Sequence, residues 1–253
     1  MRTAAQLYTV RKQMQTTQEI EEGFNKLKKM GYNAVQVSGI GPIEPERLKD
    51  LADEVGLEIC ATHNSYTDFT EDIDPLIAKH QLWECKYVGL GGMPGEYRDN
   101  ADGYKKFARE ASVFGKTLKD AGLQFIYHNH NFEFIRFGNL TGMDIMLQES
   151  DPDTFHFEID TYWVQAGGGD PAEWIEKVAG RMAVVHFKDM AVDGREQIFA
   201  EIGEGNLNWD RILKACYDTG VEWCPVEQDV CQRDPFESLE ISLKNLKEMG
   251  VEA

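Results

Sequence analysis

The stretch Leu123-Gln124-Phe125-Ile126-Tyr127-His128-Asn129-His130-Asn131-Phe132-Glu133-Phe134 decides the fold. It follows Ala121-Gly122, a helix stop, and its apolar start reads as a short buried strand. That strand then opens into two His, two Asn and a Glu, side chains that are costly to bury without partners. An apolar strand with chemistry at its exit is how an α/β barrel builds a site at the C-terminal ends of its strands. The alternative at this point is a polar loop that happens to contain two histidines, and other strand ends decide between them.

Outward from this strand, short apolar runs alternate with longer amphipathic stretches about thirty residues apart. Ala5-Gln6-Leu7-Tyr8-Thr9-Val10 reads as a first strand, followed by a helix from Thr17 to Met30 closed by Gly31. Ala34–Val37 is a second strand, with a helix from about Glu44 carrying Pro45 in its first turn. Leu57–Ala61 is a third strand with Thr62-His63-Asn64 at its exit, and Tyr87–Leu90 a fourth. After the opening strand, Phe155–Asp160, Met182–Phe187 and Val221–Glu227 supply a sixth, seventh and eighth, the last after an extra loop. Helices read over Asp74–Trp83, Asn100–Asp120, Gly142–Glu149, Pro171–Val178 and a C-terminal segment ending at Gly250. Eight β-then-α units in 253 residues imply a single-domain (β/α)8 TIM barrel; an open, doubly wound sheet is the alternative.

Composition bounds the function. The chain is 42% hydrophobic and 11% aromatic, as a large core requires, and no run of eighteen apolar residues suggests a membrane span. The segment Met1–Tyr8 shows no signal-peptide pattern, and five dispersed cysteines without a CxxC pair fit reduced thiols, so a cytoplasmic location is expected. A formal charge of −18 repels nucleic acid and attracts divalent cations. No dinucleotide fingerprint, P-loop or nucleophile elbow is present: Gly39-Ile40-Gly41 and Gly167-Gly168-Gly169 lack the remaining residues of such motifs.

The chemistry collects at strand exits: His128, His130 and Glu133 at the fifth, Asp160 at the sixth, His186 then Lys188-Asp189 at the seventh, and Glu227 at the eighth. A lone carboxylate at a strand end is usually solvated or caps a helix, but four potential ligands at the ends of four successive strands point to a metal site. Three carboxylates with one imidazole suit Mn2+, Mg2+ or Co2+ better than a structural zinc site. Such a metal holds adjacent substrate oxygens and stabilises an enediolate, and two glutamates flanking the substrate carbon exchange its proton.

The segments Gln6–Arg11, Tyr127–Phe134, Ile159-Asp160-Thr161 and Val185-His186-Phe187-Lys188-Asp189 resemble the sugar phosphate isomerase/epimerase family of the xylose-isomerase-like TIM barrel superfamily, over nearly the whole chain. The resemblance implies one divalent metal, Mn2+ first with Mg2+, Co2+ or Zn2+ as alternatives, held by Glu133, Asp160, His186 and Glu227, with Glu133 and Glu227 as the acid/base pair. Several relatives carry the first glutamate directly at the end of strand five. In this chain His130 is therefore the other candidate ligand, with Glu133 behind it.

The expected substrate is a small sugar or keto-sugar. Its candidate contacts are His63, His128, His130, Lys188, Tyr8 and Trp163, with Gln228 a further one; Lys188 has a salt bridge to Asp189 as its alternative role. His80 and His156 read as structural. The leading expectation is a metal-dependent isomerase or epimerase, and the alternative a lyase or dehydratase acting on a keto-inositol or 3-keto-glycoside, with His128 and His130 serving the leaving group. A DNA-repair endonuclease on the same barrel is opposed by the charge and by only six histidines. A homo-oligomer or a small partner subunit is compatible with the sequence.

Overall fold

A strand buries alternate side chains on opposite faces, and in this protein that period of two sorts apolar from polar and titratable residue types. In the computed structural model, which describes residues 1–252, eight parallel strands close into a barrel. They are β1 (Arg2–Gln6), β2 (Ala34–Val37), β3 (Glu58–Asn64), β4 (Tyr87–Leu90), β5 (Gln124–His128), β6 (His156–Asp160), β7 (Val184–His186) and β8 (Trp223–Val226). Each pairs with its sequence neighbours, and β1 closes the ring against β8 through Arg2↔Trp223, Thr3↔Cys224, Ala4↔Pro225 and Ala5↔Val226.

Inside the barrel, Ala4, Ala34, Cys60, Ala61, Tyr87, Ile126, Val184 and Trp223 form a compact apolar plug. Two residues further along the same strands stand Gln6, Gln36, His63, His128 and His186, and β6 contributes Glu158 and then Asp160. The pleat therefore seals the bottom of the barrel with apolar side chains and directs the polar ones to its C-terminal end. The outward-facing residues Phe125, Tyr127, Phe157, Ile159, Val185 and Phe187 join the larger core beneath the helices. Phe107, from the helix Ala101–Asp120, packs its ring 5.2 Å from that of Tyr127.

Local signals place the helices. Thr16 and Glu19 form a capping box on Thr17–Met30, Pro45 opens Pro45–Val55, and the Asn100 side chain caps Ala101–Asp120. The first strand is the main displacement from expectation: it ends at Gln6 rather than Val10. The Gln6 side chain accepts from Tyr8 N and turns the chain into a 3-10 segment over Leu7–Gln13. Leu7, Thr9 and Val10 are buried in the 3-10 segment, and the same apolar run is what a buried strand would show, so periodicity does not separate the two. The extra loop between β7 and β8 contains a hairpin, Asp189–Asp193 against Glu196–Ala200, and a helix, Trp209–Thr219. Gly194, between the hairpin strands, has φ +60°, the sign that a two-residue hairpin turn requires. No helix among the described residues is long and apolar enough to cross a membrane.

Candidate active site

Four donor atoms meet at the C-terminal end of the barrel: one each from His128, Asp160, His186 and Glu227, all within 4.8 Å of one another and all from buried residues. His128 ends β5, Asp160 ends β6, His186 ends β7, and Glu227 directly follows β8. Asp160 is divided between two tasks. Its Oδ1 caps the next helix by accepting from Trp163 N at 2.8 Å, and its Oδ2 turns to the cluster, 3.0 Å from His128 Nε2.

The partners of the imidazoles assign their protons. His128 Nδ1 faces the Gly91 carbonyl oxygen at 3.3 Å, an atom that only accepts, so Nδ1 carries hydrogen. Burial, with His186, His63 and Lys188 nearby, keeps this ring well below its usual pKa and therefore neutral. Its Nε2 lone pair then turns to Asp160 Oδ2, whose carboxyl is raised by burial. His186 Nε2 donates to Gln36 Oε1 at 2.6 Å, which leaves Nδ1 on the cluster side, 3.0 Å from Glu227 Oε2. His186 Nδ1 and Glu227 Oε2 are both buried without a hydrogen-bond partner. Four buried donor atoms that converge on one point, with His186 Nδ1 and Glu227 Oε2 lacking a well-formed hydrogen bond, are what a divalent cation satisfies once it displaces the His186 proton, so the residues present fit a metal ion. Burial works against charge on His186, but the carboxylates of Glu158 and Glu227 outweigh it and push the ring up to about 10. A proton and a metal thus compete for the same side chain.

Beneath the cluster lies Glu158, which the sequence reading missed. It is fully buried, accepts from Gln36 Nε2 at 2.8 Å, and lies 2.6 Å from His63 Nε2 and 3.1 Å from His186 Nε2. Burial alone raises its pKa, yet His186 and His63 hold it well below the usual range, so it is ionised and orients both rings. Its signal was present in the sequence, because a residue two before Asp160 on a strand shares its inward face.

Glu133 is the residue that the structure does not bring to this cluster. Tyr127 points out of the barrel, opposite to His128, and its hydroxyl donates to Glu133 Oε1 at 2.6 Å. The other oxygen accepts from His130 N at 2.9 Å. Both carboxylate oxygens are thereby engaged behind β5, and His128 stands in the position expected of the glutamate. Burial pushes the Glu133 carboxyl up to about 7 against an ordinary value of 4.5. Between those values the folded state holds a proton that the unfolded chain has lost, so this group makes stability fall as pH rises from 4.5 to 7. Melts at pH 4.5 and 8 are expected to show a smaller loss on that rise for Glu133→Gln than for the parent chain, by roughly 3 kcal/mol. Equal pH dependence in the two proteins contradicts the assignment.

A cavity of about 210 Å3 opens over the cluster, lined by Tyr8, Ser38, His63, Gly91, His128, His130, Lys188, Glu227 and Asp229. Of the expected substrate contacts, His63, His128, His130, Lys188 and Tyr8 thus share one pocket. Trp163 stands beside it, its ring centroid 5.5 Å from that of His130, and its buried Nε1 has no partner. The His130 Nδ1 and Gln228 Nε2 atoms are likewise buried and unpartnered. His80 is structural as expected, held between Thr62 Oγ1 and the Leu76 carbonyl.

The salt bridge from Lys188 to Asp189 does not form. Lys188 Nζ instead meets Glu227 Oε2 at 2.8 Å, Asp229 Oδ2 at 2.9 Å and Asp160 Oδ2 at 3.1 Å. Asp189 faces the other way and ties down the loop after the hairpin. Those three carboxylates keep Lys188 protonated against its burial, and Lys188 with His186 keeps Glu227 ionised.

Comparison with known proteins agrees with this architecture. The model of a family described as xylose isomerase-like TIM barrel matches residues 24–249. An inosose dehydratase of Lacticaseibacillus casei is 22% identical over 255 aligned residues, covering 86% of this chain and 85% of that protein. One from Clostridium beijerinckii is 25% identical across 61% of this chain and 57% of its own length. A crystal structure of a sugar phosphate isomerase/epimerase from Parabacteroides distasonis superposes with a TM-score of 0.80 at 25% identity, covering 97% of this chain and 93% of that one.

Proposed function

The chain belongs to the xylose isomerase-like TIM barrel family, and on that premise we propose that it is a metal-dependent lyase that removes a group β to the carbonyl of a keto-sugar or keto-inositol. Because one fold hosts many reactions, the reading rests on the site. The observation that carries it is the placement of Glu133 behind β5, with both oxygens engaged. Epimerisation through two glutamates needs a carboxylate on each side of the reacting carbon. Here the pocket that Glu227 lines carries the imidazoles of His63, His128 and His130, and its other carboxylate, Asp229, is tied to Lys188. The inosose dehydratases aligned with most of this chain support elimination, and the isomerase/epimerase from Parabacteroides distasonis keeps the first expectation as the rival.

In this reading His128, Asp160, His186 and Glu227 hold one divalent cation, and two imidazoles with two carboxylates suit Mn2+, Co2+ or Zn2+ better than Mg2+. Such an ion supplies Lewis-acid stabilisation of the negative charge that develops on the substrate carbonyl oxygen. Glu227, held ionised, takes the proton from the carbon next to the carbonyl. The electron pair of that C–H bond forms the new double bond as the β C–O bond breaks. The proton that Glu227 takes up returns to the leaving oxygen, relayed by the neutral imidazole of His130, which accepts it at one ring nitrogen and gives one up at the other, so that the net product beside the enone is water or an alcohol. Glu158 holds His63 against the pocket wall. A volume of about 210 Å3 is below the roughly 300–1,000 Å3 of drug-sized ligand sites and suits a single hydroxylated ring.

The test is proton NMR in D2O with Mn2+, Co2+ or Zn2+ against a panel of keto-inositols and 3-keto-glycosides. Loss of water or aglycone with formation of an enone is the expected result. Deuterium incorporation and epimer formation without any leaving group would overturn elimination in favour of epimerisation.

A further inference from the structure

A fully buried lysine is costly unless it is paired, and Lys188, 1% exposed, has three carboxylates around one ammonium. Two of the three oxygens it meets are not free for it alone. Asp160 Oδ2 also lies 3.0 Å from His128 Nε2 and 3.8 Å from His186 Nδ1, while Glu227 Oε2 lies 3.0 Å from His186 Nδ1. The same two atoms therefore serve the ammonium on one side and the convergent lone pairs of the four-residue cluster on the other. From this shared geometry we infer that Lys188 is a resident counter-cation of the metal centre, compensating Asp160 and Glu227 when the metal is away and restraining metal affinity when it binds. The inference rests on reading the cluster as a metal centre, and it gives Lys188 a task apart from contacting substrate.

Charge arithmetic gives the sign of two substitutions. With Lys188 in place, three carboxylates face one fixed positive charge; without it, an arriving divalent cation meets those carboxylates uncompensated and no longer approaches an ammonium a few ångströms away. Lys188→Met keeps an unbranched stem and removes the charge. Asp229 acts in the opposite sense. Its side chain is 26% exposed at the pocket, and its Oδ2 draws Lys188 away from the two shared oxygens. Asp229→Asn removes that competitor and one negative charge, leaving the ammonium to Asp160 and Glu227.

The experiment is an equilibrium titration of Mn2+, and separately of Zn2+, against chelator-stripped parent protein, Lys188→Met, Lys188→Arg and Asp229→Asn, with melting temperatures in EDTA and in excess metal. Lys188→Met is expected to bind metal about tenfold tighter or more, to melt lower in EDTA, and to gain more from added metal than the parent does. Lys188→Arg, which keeps the charge, stays near the parent affinity, and Asp229→Asn binds several-fold more weakly. Unchanged or weaker binding by Lys188→Met overturns the inference, as does tighter binding by Asp229→Asn. If Lys188→Met does not fold, the sign of the Asp229→Asn change decides. A parent protein that takes up neither metal overturns the metal-centre reading itself, whereas normal uptake with unshifted variants overturns only the role of Lys188.

Discussion

Glu227→Gln is expected to lower turnover about 10^3-fold, within the 10^2–10^4 range for loss of a positioned acid or base, while the protein stays folded. The amide keeps the shape of the side chain and still accepts a hydrogen bond, but it cannot take a proton from carbon. It also leaves His186 Nδ1 and Lys188 Nζ, at 3.0 and 2.8 Å, without the ionised oxygen they face. Weaker metal uptake should accompany the loss, because the same oxygen belongs to the donor set. Initial rates by NMR, together with a thermal melt, check this. More than about a tenth of parental activity in a folded, metal-loaded variant removes Glu227 from proton transfer.

Asp189→Ala is expected to cost roughly 3–5 kcal/mol of stability, a large effect for a residue outside the pocket. Its Oδ1 accepts from Met190 N and Leu207 N, and its Oδ2 from Gly203 N, Gly205 N and Trp209 Nε1. Alanine leaves those donors without an acceptor in a crowded place: a Cβ on Gly205 would fall 2.3 Å from Asp189 Oδ1, so only glycine lets the loop come this close. The loss reaches the site through the preceding hairpin, where Phe199 stacks on Tyr162 at 4.1 Å and packs edge-on to Trp163 beside the pocket. Urea unfolding measures the cost, and a loss below about 1 kcal/mol contradicts this account of Asp189.

Most barrel strands were legible because apolar runs bounded by Gly and Pro leave few alternatives; β2 and β4 fall at Ala34–Val37 and Tyr87–Leu90 as read. That Asp160, His186 and Glu227 meet at one end of the barrel was legible for the same reason, since successive strand exits in a barrel share one face. Glu133 was expected in the cluster from the family resemblance, with His130 as its alternative, and the structure sets it behind β5 instead. The parity of β5 carries the answer: Tyr127 and His128 face opposite sides, and a carboxylate within reach of the Tyr127 hydroxyl is drawn outward. Glu158 escaped because it lies inside an apolar-looking strand, although it shares the inward face of Asp160. The Asp189 loop could not be read, because its acceptor and most of its donors are 14 to 20 residues apart.

The central claim is that the donors at the ends of β5 to β8 form one metal centre with His128, not Glu133, as the ligand from β5. Anomalous X-ray diffraction from crystals soaked in Mn2+ or Zn2+ tests it most directly. A single strong peak within bonding distance of His128 Nε2, Asp160 Oδ2, His186 Nδ1 and Glu227 Oε2 is the predicted result. No peak at that point in soaked crystals, or one coordinated by the Glu133 carboxylate instead of His128, contradicts it.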